Sequence, residues 1–275
     1  MKALPQDVRP YWLEAMVSHR VKHRKDLPSI KSIRTVEDLE SFVNSIDLAA
    51  VDAVRALELG LEESEESIEF SDSLEICRFE EADQAKAFER AIWQSSHPIP
   101  RKTLVSDLWR ERFAKLAEQA RNVILVDGHA FNRFLQGTPS RVAGLERLLG
   151  LLDAASKPAK VEIIAEEPEF GWEVCEGLLR KLRADLRGKG VSELWVYVVP
   201  RAAASRDDRF ARIMHDRYLR FGKHAFALGS GAEVFQGTRT ERLCTLSLSL
   251  YDESYRDEEG WLRGQAREVL ILAAR

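Results

Sequence analysis

Ile213-Met-His-Asp-Arg-Tyr-Leu-Arg-Phe-Gly-Lys-His-Ala-Phe-Ala-Leu-Gly-Ser-Gly-Ala-Glu-Val-Phe235 is the stretch on which the reading of this chain turns. It reads as two strands joined by a tight turn. Side chains alternate along a strand with a period of two. Met214, Asp216, Tyr218 and Arg220 therefore share one face, and Ile213, His215, Arg217, Leu219 and Phe221 share the other. His215 and Arg217 stand one pleat apart on the same side. Gly222-Lys223 closes the hairpin, and residues 225–228 return it. Gly229-Ser230-Gly231 then makes a corner with little side-chain bulk, where backbone N–H groups can be reached. An imidazole beside a guanidinium, near such a corner, suits a phosphate or phosphodiester better than most ligands.

The surrounding chain predicts the sheet that carries this hairpin. Val105, Leu108, Trp109, Phe113, Leu116 and Ala120 recur at three- and four-residue steps, giving one buried helical face with Thr103 as its cap. Asn122-Val-Ile-Leu-Val-Asp127 is a continuous apolar run and reads as a buried parallel strand. Helices follow at 140–155 and 172–186, alternating with strands at 160–165 and 194–199; Gly188-Lys189-Gly190 stops the second helix. Two crossover units imply a parallel sheet covered on both faces. After the hairpin come a strand at 243–250 and a closing helix at 257–274.

The hairpin resembles the signature of the phospholipase D superfamily. That signature runs His, any residue, Lys, four residues, Asp, six residues, Gly-Ser. Here it reads His215, Asp216, Arg217, four residues, Gly222, six residues, Gly229-Ser230. His and Gly-Ser fall in register, Arg217 replaces the Lys, and Gly222 stands at the Asp position. The His-Asp-Arg triplet with Gly229, Gly231, Glu233 and Phe235 is similar to a divergent branch. That branch is the phospholipase D-like C-terminal domain of MIT-domain proteins and its bacterial relatives. The resemblance spans residues 103–272 and implies one phospholipase D-like α/β half, βαβαβ plus hairpin. Single-half members of the superfamily form homodimers, so a homodimer is expected if the domain is an enzyme.

In the resembled enzymes the His attacks phosphorus, the Lys holds a non-bridging oxygen, and the Asp orients the His. Carried over by position, His215 is the nucleophile and Arg217 the phosphate clamp. No residue matches the Asp, and alternation sends Asp216 to the opposite face. Replacing the orienting carboxylate of a Ser-His-Asp site lowers turnover by about 10⁴-fold. Glu233, beyond the glycine corner, is the candidate substitute. Gly229, Ser230 and Gly231 are candidate phosphate donors. His129 joins them, because Asp127 and His129 follow the first parallel strand at the edge where ligands of open sheets gather; a local capping role for Asp127 is the competing reading. Arg201, Arg206, Arg209 and Arg212 precede the hairpin, either at the cleft mouth or as a solvated loop.

Three functions stay open. The first is a phosphate-recognising module for nucleic acid or another phosphorylated ligand, in a bacterial defence setting by the resemblance alone. The second is a metal-independent homodimeric nuclease or other phosphodiesterase. The third is an adaptor whose partner contacts an acidic N-terminal domain. A net charge of −4 argues against a generic protein that coats nucleic acid, although a local basic groove is compatible with it. The three cysteines, Cys77, Cys175 and Cys244, form no CxxC pair, so neither a disulfide framework nor a zinc ribbon is indicated. A reducing cytoplasm is the expected compartment, with no cofactor and no metal. No apolar run approaches the ~20 residues that span a bilayer.

The N-terminal part, residues 1–98, reads as a smaller helix-rich α+β domain ahead of the α/β domain at 99–275. A helix is predicted over 7–25, ending in a basic cluster with His19 and His23 at helical metal-ligand spacing but no visible carboxylate partner. Thr35 caps a second helix with Asp38 at the capping-box position. A third helix is predicted over 48–61 and a fourth over 83–94. Between them, 62–83 is acidic, with strand-like pieces at 67–70 and 74–79. Residues 95–100 break the chain.

Overall fold

The computed structural model describes residues 48–51, 67–71, 74–78, 84–135, 142–201, 217–250 and 253–273, with Thr35, Asp38, Val54, Leu57, Glu81 and Ala82. The chain divides into two compact units, Met1–Trp93 and Gln94–Arg275.

The first unit holds a three-stranded sheet of β1 (Leu48–Val51), β2 (Ser67–Ser71) and β3 (Leu74–Arg78), in the order β1-β3-β2. β1 runs parallel to β3, and β2 antiparallel. Residues 48–51 are therefore a strand, not the start of the predicted third helix; beyond it the described residues of that span, Val54 and Leu57, are helical. A four-residue apolar run does not distinguish helix from strand by itself. Here the partner β3 decides, with Leu48 and Ala50 packed against Cys77, Ala82 and Ala85. Helix α1 (Lys86–Ser96) starts on the side chain of Glu75, which accepts the Lys86 and Ala87 N–H groups at 3.0 and 2.6 Å. At Thr35 the backbone N–H donates to Asp38 Oδ2 at 3.0 Å, the reciprocal half of a capping box. The 7–25 helix, its basic cluster and most of the acidic run lie outside the described residues.

The second unit is a mixed α/β structure around a seven-stranded sheet in which antiparallel pairs outnumber parallel ones. Its strands are β4 (Asn122–Val126), β5 (Ala159–Glu166), β6 (Val191–Val199), β7 (Tyr218–Phe221), β8 (His224–Leu228), β9 (Leu246–Leu250) and β10 (Glu268–Ala273). The order is β10-β6-β5-β4-β7-β8-β9. β4, β5 and β6 are the parallel trio read from the apolar runs. The hairpin β7–β8 turns at Gly222-Lys223 and joins the trio through β4, antiparallel to it.

Helices α2 (Val105–Arg112), α3 (Ala114–Gln119), α4 (Ala130–Leu135), α5 (Gly144–Asp153) and α6 (Trp172–Asp185) occupy the chain around the trio. The periodic face of α2 and α3 is buried as expected, but the helix breaks at Phe113, whose φ is −125°. Thr103 does not cap it: its hydroxyl donates to the Pro100 carbonyl at 2.8 Å, and Leu104 is the cap residue. Phe113 is the hub of an aromatic cluster, with ring centroids 6.0 Å from Phe221, 5.2 Å from Phe226 and 5.7 Å from Phe235. These contacts tie both hairpin strands and the corner after them to one helix junction. The opposite face is covered by α7 (Glu253–Gln265), whose Leu262 packs on Ile124, Val126, Ile164, Val199 and Tyr218.

The predicted closing helix ends at Gln265, and the rest of it is β10, antiparallel to β6. Val269 and Ile271 are exposed while Leu270 and Leu272 are buried, which is the two-residue period of a strand. Among the described residues no helix is long and apolar enough to cross a membrane.

Candidate functional site

The hairpin's alternation holds in three dimensions. Tyr218 packs on the α7 side, and Leu219 and Phe221 pack in the main core on the other. Residues 202–216 are not among those described, so His215 is placed by sequence alone, three residues before the first residue of β7. Arg206, Arg209 and Arg212 share that status. Arg201 is described; it donates to the Glu167 carbonyl at 3.0 Å and pairs with Glu169 at 3.1 Å.

Arg217 and Asp127 are brought together by strand register. Val126 lies opposite Tyr218, so the next residue of β4's chain and the preceding residue of β7's chain are neighbours. Arg217 Nε is 3.6 Å from Asp127 Oδ1, with side chains 14% and 0% exposed. The separation is ionic rather than a hydrogen bond, and among the described residues Arg217 Nε is buried without a hydrogen-bond acceptor. Asp127 instead accepts the His129 N–H at 3.0 Å and the Ala232 N–H at 2.8 Å. Asp127 thus caps its own turn and also supplies countercharge to Arg217. His129 is half-buried in that turn.

The glycine corner is shaped by protein groups. Gly231 has a φ of +57°, and a Cβ there would lie 2.1 Å from Asp127 Oδ2. A Cβ on Gly229 would lie 2.3 Å from the Thr245 hydroxyl, and the Gly229 N–H donates to the Thr245 carbonyl at 3.1 Å. Two N–H groups around the corner, those of Gly229 and Ala232, are therefore already bonded. Ser230 is buried, and its carbonyl accepts from Arg133 Nη1 at 3.1 Å. Residues 231–235 form one short 3-10 segment.

Glu233 is held by two arginines, Arg133 at 2.5 Å and Arg242 at 3.5 Å. It sits with Ser230 and Arg242 along a shallow depression beside the corner. Three guanidinium groups, Arg133, Arg217 and Arg242, thus face two carboxylates, Asp127 and Glu233. Glu241 lines the same depression, so cations and carboxylates balance at three each, and any anion has to be drawn by Arg217 rather than by a net positive field. Among the described residues no three His, Cys, Asp or Glu side chains gather as a metal site would need.

Arg133 and Arg242 were not found from the sequence. Arg133 is the lone cation of Ala130-Phe-Asn-Arg-Phe-Leu135, and a single charge in an otherwise apolar helix is a signal that it has a buried task. Arg242 carries no such signal. A second charged set, Arg220, Glu259, Arg263 and Glu162, lies under α7 with Arg220 and Glu259 almost wholly buried. Its members satisfy one another and fasten the helix to the sheet.

No family model matches this chain, and no curated protein matches it.

Proposed function

We propose that the second unit recognises a phosphate or phosphodiester group at the hairpin corner, with Arg217 as the clamp. The observation that carries this reading is Arg217 itself. Its guanidinium is largely buried, and among the described residues its Nε has no hydrogen-bond acceptor and its nearest countercharge is beyond hydrogen-bond distance. A buried donor without an acceptor is costly, and a ligand oxygen would satisfy it. Arg133 and Arg242 stand near the same corner, each already paired with Glu233. In this reading the unit is a phospholipase D-like half with a degenerate His-x-Arg motif. Nucleic acid or another phosphorylated molecule is its partner.

A second reading keeps His215 as the nucleophile and Arg217 as the clamp. The signature's Asp position is Gly222; the buried Asp127 carboxylate, just beyond the neighbouring strand, sets the position of Arg217. In metal-independent phosphodiester hydrolysis His215 attacks phosphorus, the bond to the leaving oxygen breaks, and that oxygen would take its proton from the protonated His215 of the second copy in a homodimer. Water would then attack the phosphohistidine, giving its proton to that same second imidazole and its hydroxyl to phosphorus, which frees His215. Arg217 would stabilise charge on the non-bridging oxygens.

One experiment separates the two readings. Hydrolysis of bis(p-nitrophenyl) phosphate and of single- and double-stranded oligonucleotides is followed with and without chelator, alongside binding of the same oligonucleotides. Binding without turnover, weakened about ten- to a hundred-fold in Arg217→Ala, supports recognition. Turnover that survives chelator and disappears in His215→Ala supports the enzyme. Binding that Arg217→Ala leaves unchanged removes the site.

A further inference from the structure

A second basic feature lies at the other end of the parallel trio. It is a cleft of about 650 Å³ between the C-terminal end of α6, the 187–190 loop, the amino-terminal end of β6 and β10. Arg180, Arg183, Arg187 and Lys189 line it, over an apolar floor that includes Pro158 and Leu272. Asp127 and Arg217 are at the carboxyl end of β4, so the two places are separate.

The loop is rigidly held. Asp153 is 4% exposed, and its carboxylate accepts the N–H groups of Gly188 and Val191, the latter at 3.2 Å. Its carbonyl accepts the Gly190 N–H at 3.1 Å. A Cβ on Gly188 or Gly190 would lie 1.9 Å from a backbone oxygen of α5, so only glycine fits at either position. Asp153 is therefore satisfied by backbone donors and makes no ion pair with the four cations.

The cations are unevenly committed. Arg180 pairs with Glu176 at 2.7 Å. Arg183 Nη2 donates to the Val191 carbonyl at 3.3 Å, but among the described residues its Nε is buried without an acceptor. Arg187 and Lys189 make no ion pair among the described residues and are exposed. Cations complement the negative end of a helix, which gives Arg183 and Arg187 a reason to be at the end of α6. That does not account for Lys189 beyond the helix, for the convergence of all four on one cleft, or for the missing acceptor at Arg183.

The walls define the ligand. No aromatic ring lines the cleft, so base stacking cannot supply the grip. The volume lies in the ~300–1,000 Å³ range of small-molecule sites. Four cations, one already paired, call for closely spaced negative charges on a compact ligand. We propose that this cleft binds an oligophosphate chain of three or more linked phosphates, free or carried by a nucleotide.

The test is titration calorimetry on the full chain with tripolyphosphate, ATP and orthophosphate at physiological salt. It is run on the wild type and on Arg217→Gln, where the hairpin corner is disabled. Tripolyphosphate should bind saturably to both, more tightly than orthophosphate. Arg187→Gln/Lys189→Gln should weaken it by about tenfold or more with an unchanged melting temperature, because both residues are exposed. Lys189→Gln alone gives a second reading should the double variant fold poorly. ATP binding as tightly as tripolyphosphate makes the carried chain the ligand, and weaker ATP binding makes it the free chain. The proposal is overturned by no saturable binding, by binding lost in Arg217→Gln but kept in the double variant, or by duplex RNA outcompeting tripolyphosphate.

Discussion

Arg217 Nε and Asp127 Oδ1 stand 3.6 Å apart at the same end of two antiparallel neighbours, β4 and β7. The carboxylate is fully buried and also carries two backbone N–H groups. It therefore competes with any anion for Arg217 while holding the corner in place. Asp127→Asn removes the charge and retains one acceptor oxygen. We expect it to bind inorganic phosphate more tightly than the wild type, with lower stability. Asp127→Ala leaves Arg217 largely buried without countercharge and should cost about 3–5 kcal/mol. Calorimetry with phosphate and urea melts read both effects; weaker phosphate binding in Asp127→Asn would count against competition at Arg217.

Gly231 and Gly222 allow backbone strain and crowding to be separated. Both have positive φ, +57° and +56°. A Cβ at Gly222 meets nothing within 4 Å, whereas one at Gly231 lies 2.1 Å from Asp127 Oδ2 and 2.8 Å from Arg217 Cδ. Gly222→Ala should cost only the left-handed conformation, about 1–2 kcal/mol. Gly231→Ala should cost clearly more and also weaken phosphate binding, because it displaces both site side chains. Equal losses in denaturant midpoint for the two variants would contradict the crowding.

These relationships mark the border of what the sequence discloses. The apolar runs at β4, β5 and β6 and the alternation of β7 are local patterns, and burial on both faces of the trio makes them legible. The Gly222-Lys223 turn is local as well. The Arg217–Asp127 contact depends on β7 inserting antiparallel beside β4, ninety-odd residues away in the chain, and no spacing rule records that. The reason for the glycines was also hidden: the empty volume at Gly231 admits a carboxylate from β4. β10 was missed because Glu268-Val-Leu-Ile-Leu-Ala273 follows a helix closely, and its period of two appears only against β6. The break at Phe113 reflects tertiary override, since the helical period continues through it and the aromatic cluster interrupts it.

Arg220 and Glu259 form a two-pronged buried pair, Nε to Oε1 at 2.7 Å and Nη2 to Oε2 at 2.8 Å. Arg263 shares Glu259 at 3.2 Å and reaches Glu162 at 2.8 Å. Burial pulls the Arg263 pKa down, but Glu162 and Glu259 more than offset it, so the group stays charged. Removing one partner of such a pair strands the other, at a cost of about 3–5 kcal/mol. Glu259→Ala should therefore destabilise the second unit by that amount. An Arg220→Met/Glu259→Leu pair should recover most of it, because no charge is left unpaired. A double variant no more stable than Glu259→Ala would show that α7 depends on the charges themselves.

The last expectation concerns alkaline pH. Burial pushes the Cys175 thiol up from 9.0 to about 12. Burial, and then Glu259, push the Tyr218 phenol well above its usual 10.0. For both groups the folded pKa exceeds the unfolded one. Between those values the unfolded chain has lost the proton and the folded chain has kept it, so unfolding is favoured as pH rises. Their contribution is complete below pH 9, declines from there for Cys175 and from about 10 for Tyr218, and is exhausted only above their folded values. Melting temperature should hold between pH 7 and 8.5 and fall steadily from pH 9 to 11. Tyr218→Phe should start lower, having lost the 3.4 Å contact to Glu259, and fall less steeply over the upper part of that range. In the native state at pH 8 a thiol reagent should leave Cys175 unmodified until denaturant is added. Parallel pH slopes for the wild type and Tyr218→Phe would mean that Tyr218 is not held protonated by the fold.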